Sequence, residues 1–303
     1  MSEQLDAIGV TDELTKKRGE GGSIEPERDL QDKSVPYSKL KLKESILYTD
    51  LDPESPIPWS YISMQGGWVG VTDTWTYASA DSPTFTVTVP SGATTLYSPG
   101  MRVRLTQTTT KYFLITAVAD TVITLYGGTD YTLTSATISD ISFSYFKAPI
   151  GFPLNPTKWT VIKKDSNVRS QSSATDSTWY NVGTTNCQIT IPIGVWDVDY
   201  RVFASWTVTG VGAGDVGNNL YTTLSTANNS ESDKEFTAGS SQIAYTALGT
   251  AQWNDTFFVR KTLALTTKTL YYLNSQHTGG GTPTISFENG AVDMIIRAVS
   301  AYL

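Results

Sequence analysis

Apolar and polar residues alternate with a period of two over much of the chain beyond Trp59, and the longest such run lies between Cys187 and Thr209. Up to Gly194 the apolar residues take odd positions: Cys187, Ile189, Ile191 and Ile193. After it they take even ones, from Trp196, Val198 and Tyr200 through Val202, Ala204 and Trp206 to Val208. The opposite phase carries Asp197, Asp199, Arg201, Ser205 and Thr207, with Phe203 as its one large apolar member. One face is therefore made for a core and the other for water. At about 3.3 Å per residue the second run spans on the order of 45 Å, long against a usual strand of about five or six residues. This predicts a central strand of a jelly-roll-like sandwich.

Shorter runs predict two β-domains. In residues 60–147 the segments TFTVTV, MRVRLTQ, KYFLITAV, TVITLY and Thr137–Phe146 read as strands, separated by turn signals such as Pro90-Ser91-Gly92 and Gly127-Gly128. Five or six short strands at this spacing suggest a small barrel or sandwich. The joint APIGFPLNP follows. Residues 148–303 then hold about eight further strands, the number a jelly roll requires.

The first 59 residues differ. Residues 1–33 mix charges with Gly19, Gly21 and Gly22 and cannot bury a core alone; they read as an attachment arm. From Val35 to Leu51 the apolar residues, Leu40, Leu42 and Leu47 among them, are too sparse for a monomeric core and suit a short stalk shared by several copies. Pro53, Pro56 and Pro58 read as a stiff extended spacer. At the other end, VDMIIRAVSAYL is apolar in both phases apart from Asp293, Arg297 and Ser300. One phase fits the core. The other, with Ile295, Val299 and Leu303, is expected to meet symmetry mates, unless the strand is central and covered on both faces.

Composition narrows the function. A net charge of -7 argues against binding a nucleic-acid backbone, which needs a basic stripe. No run of about 18 apolar residues predicts a membrane-spanning helix, and the polar start is unlike a signal peptide. The one cysteine, Cys187, lies on the core phase and is expected to be a buried hydrophobe. His277, the one histidine, falls in a polar, glycine-rich stretch read as a loop, with no second ligand of its kind and no nucleophile elbow. Asp197 and Asp199 lie about 7 Å apart along one strand face, within the range for paired carboxylates in glycoside cleavage. Their polar neighbours lack the apolar pocket that raises a carboxyl pKa. Eight Trp and sixteen Tyr offer sugar-stacking surface, and Tyr245, Trp253 and His277 are the candidate glycan contacts. No cofactor or metal is expected.

The segments KYFLITAV with GGTDYTL, GFPLNPTKW, RSQSS, TWYNVG, ITIPIGVWDV, TLSTANNSESD, TLYYLN and MIIRAVSAYL resemble modules of tail-fibre or minor structural proteins of tailed bacteriophages and prophages. VPYSKLKLKESILYTDL is similar to a segment that recurs in tail-fibre stalks. The resemblance implies a homotrimeric virion protein with its N-terminal part held by other virion proteins and a β-head facing a host-surface glycan or protein. It implies no catalytic motif. The expected organisation is thus all-β, with an arm and stalk (1–59), a small β-domain (60–147) and a jelly-roll-like head (148–303).

Overall fold

The computed structural model describes residues 46–49, 52–58, 66–211, 218–242 and 249–303. The chain divides into two compact units, Met1–Gly70 and Val71–Leu303. In the first, β1 (Ile46–Thr49) and β2 (Asp52–Pro58) pair antiparallel, with Ile46 opposite Pro58 and Thr49 opposite Asp52; β3 (Val69–Gly70) follows. The proline segment expected as a spacer is extended, and it is the second arm of this hairpin, where an edge position tolerates the missing N–H. Residues 1–33, Leu40 and Leu42 lie outside the described residues.

The second unit begins with an antiparallel sheet made by β4 (Thr76–Asp81), β5 (Thr84–Thr88), β6 (Arg102–Gln107), β7 (Thr109–Ala119), β8 (Val122–Tyr126) and β9 (Ser139–Ser144). Its order is β9-β6-β7-β8-β5-β4. The sheet stays open rather than closing as a barrel. It curls over Phe85, Val87, Val103, Leu105, Phe113, Ile115, Ile123 and Leu125, which with Trp75 and Tyr97 form one apolar cluster. β4 escapes sequence reading because TYASAD carries no apolar alternation and five of its six residues are exposed.

The head follows, with β10 (Thr160–Asp165), β11 (Arg169–Gln171), β12 (Trp179–Tyr180), β13 (Gln188–Ile191), β14 (Gly194–Val211), β15 (Asn218–Ser225), β16 (Thr237–Gln242), β17 (Gly249–Leu265), β18 (Thr269–Thr278), β19 (Thr282–Phe287) and β20 (Met294–Ser300). One sheet runs β10-β20-β14-β17, and β19 and β11 extend it beside the second half of β14. The other runs β12-β18-β15-β16, with β13 also on β18. Counting β12 and β13 as one interrupted strand and leaving aside β11 and β19, the eight strands fall in the orders 1-8-3-6 and 2-7-4-5. That is the jelly-roll arrangement.

β14 is the central strand, as its pattern predicts. Trp196, Val198, Tyr200, Val202, Ala204, Trp206 and Val208 are all buried. They face Leu220, Thr222 and Leu224 of β15 and Leu273 and His277 of β18, across a core joined by Ile285, Phe287, Met294, Ile296 and Ala298. Gly194, at φ 133°, turns the chain from β13 into β14 and leaves room for Thr116 of the small sheet, whose Cγ2 would lie 3.2 Å from a Cβ there. The tyrosine on this strand also ties the sheets together. Tyr200 Oη donates to the Thr222 carbonyl at 2.9 Å.

The two sheet systems of this unit join through aromatic packing. Trp159 stacks on Phe152 with centroids 5.0 Å apart, and Tyr126 meets Trp196 edge-on at 5.0 Å. Trp159 Nε1 donates to the Pro153 carbonyl at 2.6 Å and Trp196 Nε1 to the Pro192 carbonyl at 2.8 Å. The APIGFPLNP joint is thus packed in place by its own Phe152 and Pro153.

Candidate functional site

The outward face of β14 is charged but internally paired. Asp197 accepts from Arg260 Nη2 at 2.7 Å and from Thr262 Oγ1 at 2.6 Å. The Thr262 hydroxyl and then the Arg260 guanidinium hold its carboxyl below the usual carboxylate range. Asp199 takes both Nε (3.0 Å) and Nη2 (2.8 Å) of Arg297 on a single oxygen. The register explains both pairings: Asp199 stands directly opposite Arg260 on β17 and Arg297 on β20, and Asp197 opposite Thr262. Asp197, held this way, stays ionised and engaged, whereas a general acid needs its pKa raised.

His277 is corrected from a loop residue to a strand residue. It sits on the inward phase of β18, fully buried, with its ring edge-on to Trp206 at 5.4 Å. Nε2 donates to Asn218 Oδ1 at 3.1 Å, while Nδ1 has no partner. Burial pulls its pKa down, and Asp176 opposes this more weakly. Such a ring is a core residue that no glycan can touch. The polar residues around it and the three glycines after it conceal a strand whose inward phase is Tyr271, Leu273, Ser275 and His277. Cys187 is buried as expected, and burial pushes its thiol up to about 12.

Trp253, placed between strands by its local sequence, is instead a strand residue. It lies on β17 opposite Trp206, half-buried, and its Nε1 donates to Ser240 Oγ at 3.3 Å. Tyr245 lies outside the described residues. Among the expected contacts between copies, Ile295 and Val299 are half-buried on the outward face of β20, beside Lys164 and Arg201 and beside Thr160 and Asp197 respectively. β20 ends at Ser300, so Leu303 does not continue that face; its carbonyl accepts from Lys147 Nζ at 3.2 Å. Leu47 is on β1.

The head has two unlike ends. At one, Gly194, Lys268 and the C-terminal residues meet the small sheet system: Lys268 pairs with Asp81, and the buried Arg102 donates to the carbonyls of Lys147 (3.0 Å), Tyr302 (2.7 Å) and Gly100. Its guanidinium also lies 5.4 Å from the Phe152 centroid. Nothing in the sequence marks this residue, because its partners are backbone carbonyls and two of them, of Lys147 and Tyr302, lie far along the chain. At the opposite end the register brings together Thr209 with Thr282, Val211 with Gly249, Asn218 with Gln242 and Asn219 with Thr278.

Among the described residues no group of three His, Cys, Asp or Glu side chains could hold a metal ion. The arrangement offers hydrogen bonding and stacking at the head's surface, and its interior titratable groups are sealed.

No family model matches the chain, and no curated protein matches it. Among solved structures it is similar to the infectious bursal disease virus VP2 subviral particle, at 11% identity and a TM-score of 0.24, over 77% of this chain and 60% of that one. The structures of the virus's Gt and Gx strains match at 11% and 10% identity, with TM-scores of 0.20 and 0.17. They cover 77% and 78% of this chain, and 60% and 62% of theirs. The chain thus spans about three fifths of the length of these viral chains.

Proposed function

We propose that this chain is a virion structural protein of a tailed bacteriophage or prophage, a trimeric tail fibre or receptor-binding protein whose jelly-roll head contacts a host surface without catalysis. The observation that carries this reading is the polarity of the head. One end is locked to the small sheet system by Arg102, Lys268 and the aromatic joint, and the strands run from it to an opposite end where Thr209 stands beside Thr282 and Asn219 beside Thr278. Jelly rolls serve repeatedly in viral shells and lectins, where recognition rests on surface groups carried by a stiff sandwich. The stalk segment with Leu40, Leu42 and Leu47 and the half-buried Ile295 and Val299 supply the apolar surface for self-association. Three copies would multiply weak single-site affinity into avidity.

Two measurements test it. Light scattering on the full chain is expected to give about three times 33.0 kDa; a lone 33.0 kDa species at micromolar concentration overturns the trimer. Labelled protein is expected to stain susceptible cells. Intact trimers that stain nothing favour instead a head or neck fibre without a receptor role. A hydrolase acting through Asp197 and Asp199 is disfavoured by the arginine that clamps each of them.

A further inference from the structure

The outward face of the second sheet carries one cross-strand row unlike its surroundings. Trp179 of β12 stands opposite Gln276 of β18, Gln276 opposite Tyr221 of β15, and Tyr221 opposite Gly239 of β16. Directly paired antiparallel residues share a face. Since Leu220 and His277 point into the core, all four of these residues point away from it. Gly239 has a specific part: a Cβ there would come within 2.6 Å of Tyr221 Cδ1 and Cε1. The tyrosine ring therefore lies against bare backbone and can turn its other side outward.

The polar atoms of the row are spare. Among the described residues Trp179 Nε1, the Gln276 amide and the Tyr221 hydroxyl make no hydrogen bond, although all three side chains are half-buried. The indole N–H can only donate, and the amide and phenol can donate and accept. On one side the row is walled by the connection between β15 and β16. That connection is pinned across the sheet by Asn274 Nδ2, which donates to the Ala227 (2.9 Å) and Ser230 (2.7 Å) carbonyls, and by the Asn181 N–H, which donates to Asn229 Oδ1 at 2.6 Å. On the other side, away from the small sheet system, lie Thr278, Asn219 and Ser241. Neither the row nor this neighbouring one contains a charged side chain.

We infer that this row is a binding platform for a neutral glycan, with Trp179 and Tyr221 as stacking surfaces and Gln276 as the hydrogen-bonding group between them. The two aromatics are two strand spacings apart, about 10 Å, roughly the length of a disaccharide. A sugar ring offers an apolar C–H face to an aromatic ring and hydroxyl edges that donate and accept. Aromatic surface with a few placed polar groups matches that chemistry, and a row without charged side chains suits an uncharged ligand. The platform rests on the receptor-binding reading and gives it a ligand class and an address.

The test uses the full-length protein on an array of neutral oligosaccharides that includes β- and α-linked glucose, galactose and N-acetylglucosamine disaccharides and trisaccharides. Binding is followed by titration of each hit with tryptophan emission as the signal. Wild type is expected to bind at least one neutral oligosaccharide. Tyr221→Ala is expected to weaken it about ten-fold or more, as for an anchor residue, and Trp179→Phe to abolish the emission change. Gly239→Ala, which pushes the Tyr221 ring off the backbone, should weaken binding while the melting temperature shows the sandwich still folded. Absence of any hit for wild type, or undiminished affinity in folded Tyr221→Ala, overturns the platform. Cell staining separates the two readings. If Tyr221→Ala stains cells as wild type does, the adhesin reading survives and the platform falls. If wild type binds sugars through the row yet stains no cell, the platform stands and the adhesin reading falls.

Discussion

Arg102 Nη2 donates to the carbonyl of Tyr302 at 2.7 Å, joining residues two hundred positions apart. With the Lys147 and Gly100 carbonyls also on this guanidinium, a single side chain fastens the end of the chain to the small sheet system. Among the described residues no carboxylate pairs with it. Burial pulls its pKa below the ordinary arginine value, and the carbonyl dipoles and the Phe152 ring offset part of the cost of holding the charge there.

Replacing Arg102 with Leu is expected to cost about 2–4 kcal/mol, because buried carbonyls lose their donors together. Arg102→Lys should recover only part of this, since an ammonium lacks the planar fork that reaches separated acceptors. Guanidinium denaturation midpoints of the variants check the order wild type, Lys, Leu.

Tyr200→Phe removes the hydroxyl that bonds the Thr222 carbonyl between the sheets. A loss of about 1–2 kcal/mol is expected in the same unfolding measurement, with the β-sheet circular dichroism unchanged. A loss near zero would mean that the inter-sheet bond adds nothing to packing.

The pH dependence has a definite sign. The folded-state pKa of His277 is depressed from 6.5 chiefly by burial, so the unfolded chain takes up a proton first as pH falls. Stability is full above 6.5 and declines below it toward the folded pKa. The lowered carboxyls of Asp165, Asp197 and Asp233 act later, because their contributions are lost only as pH drops through the carboxylate range. Melting temperatures measured from about pH 7.5 to about pH 5 should fall for wild type and stay flatter for His277→Gln.

Asp197→Asn and Asp199→Asn are expected to release no less reducing sugar from host polysaccharide than wild type, and to change stability by about 1 kcal/mol or less where the partner arginine is solvent-exposed. Loss of a sugar-releasing activity in either variant would restore the hydrolase reading.

What could be read in the sequence followed from pattern that a single strand carries by itself. The inward series from Trp196 to Val208 needs no partner to be recognised, and it located the head's core correctly. β11 and β16 leave no mark in the pattern because RSQ and TAGSSQ lack an apolar phase; they belong to the sheets through backbone pairing. The apolar pattern of β17 covers only Phe257–Leu265, yet the strand begins eight residues earlier, at Gly249, where β14 supplies a template that the local residues do not announce. The functional groups were harder still. Asp197 and Asp199 were legible as a polar face, but Arg260 and Arg297 come from strands whose register is set elsewhere. Trp179, Gln276 and Tyr221 become neighbours only when three strands distant in the chain align. The sugar-stacking residues chosen from local context included a histidine that the core claims.

The pairing of β14 with β17 runs unbroken from Gly194 opposite Leu265 to Thr209 opposite Thr250, and resumes at Val211 opposite Gly249. These two strands span the sandwich from the end fastened to the small sheet system to the opposite one. Tension applied at that opposite end would draw β14 along its own axis against its neighbours. The ladder bonds lie across that pull, so they would share the load and have to fail together instead of opening one at a time. In the proposed adhesin role, such a pull would load the joint in shear, the mechanically stubborn direction of a β-sheet.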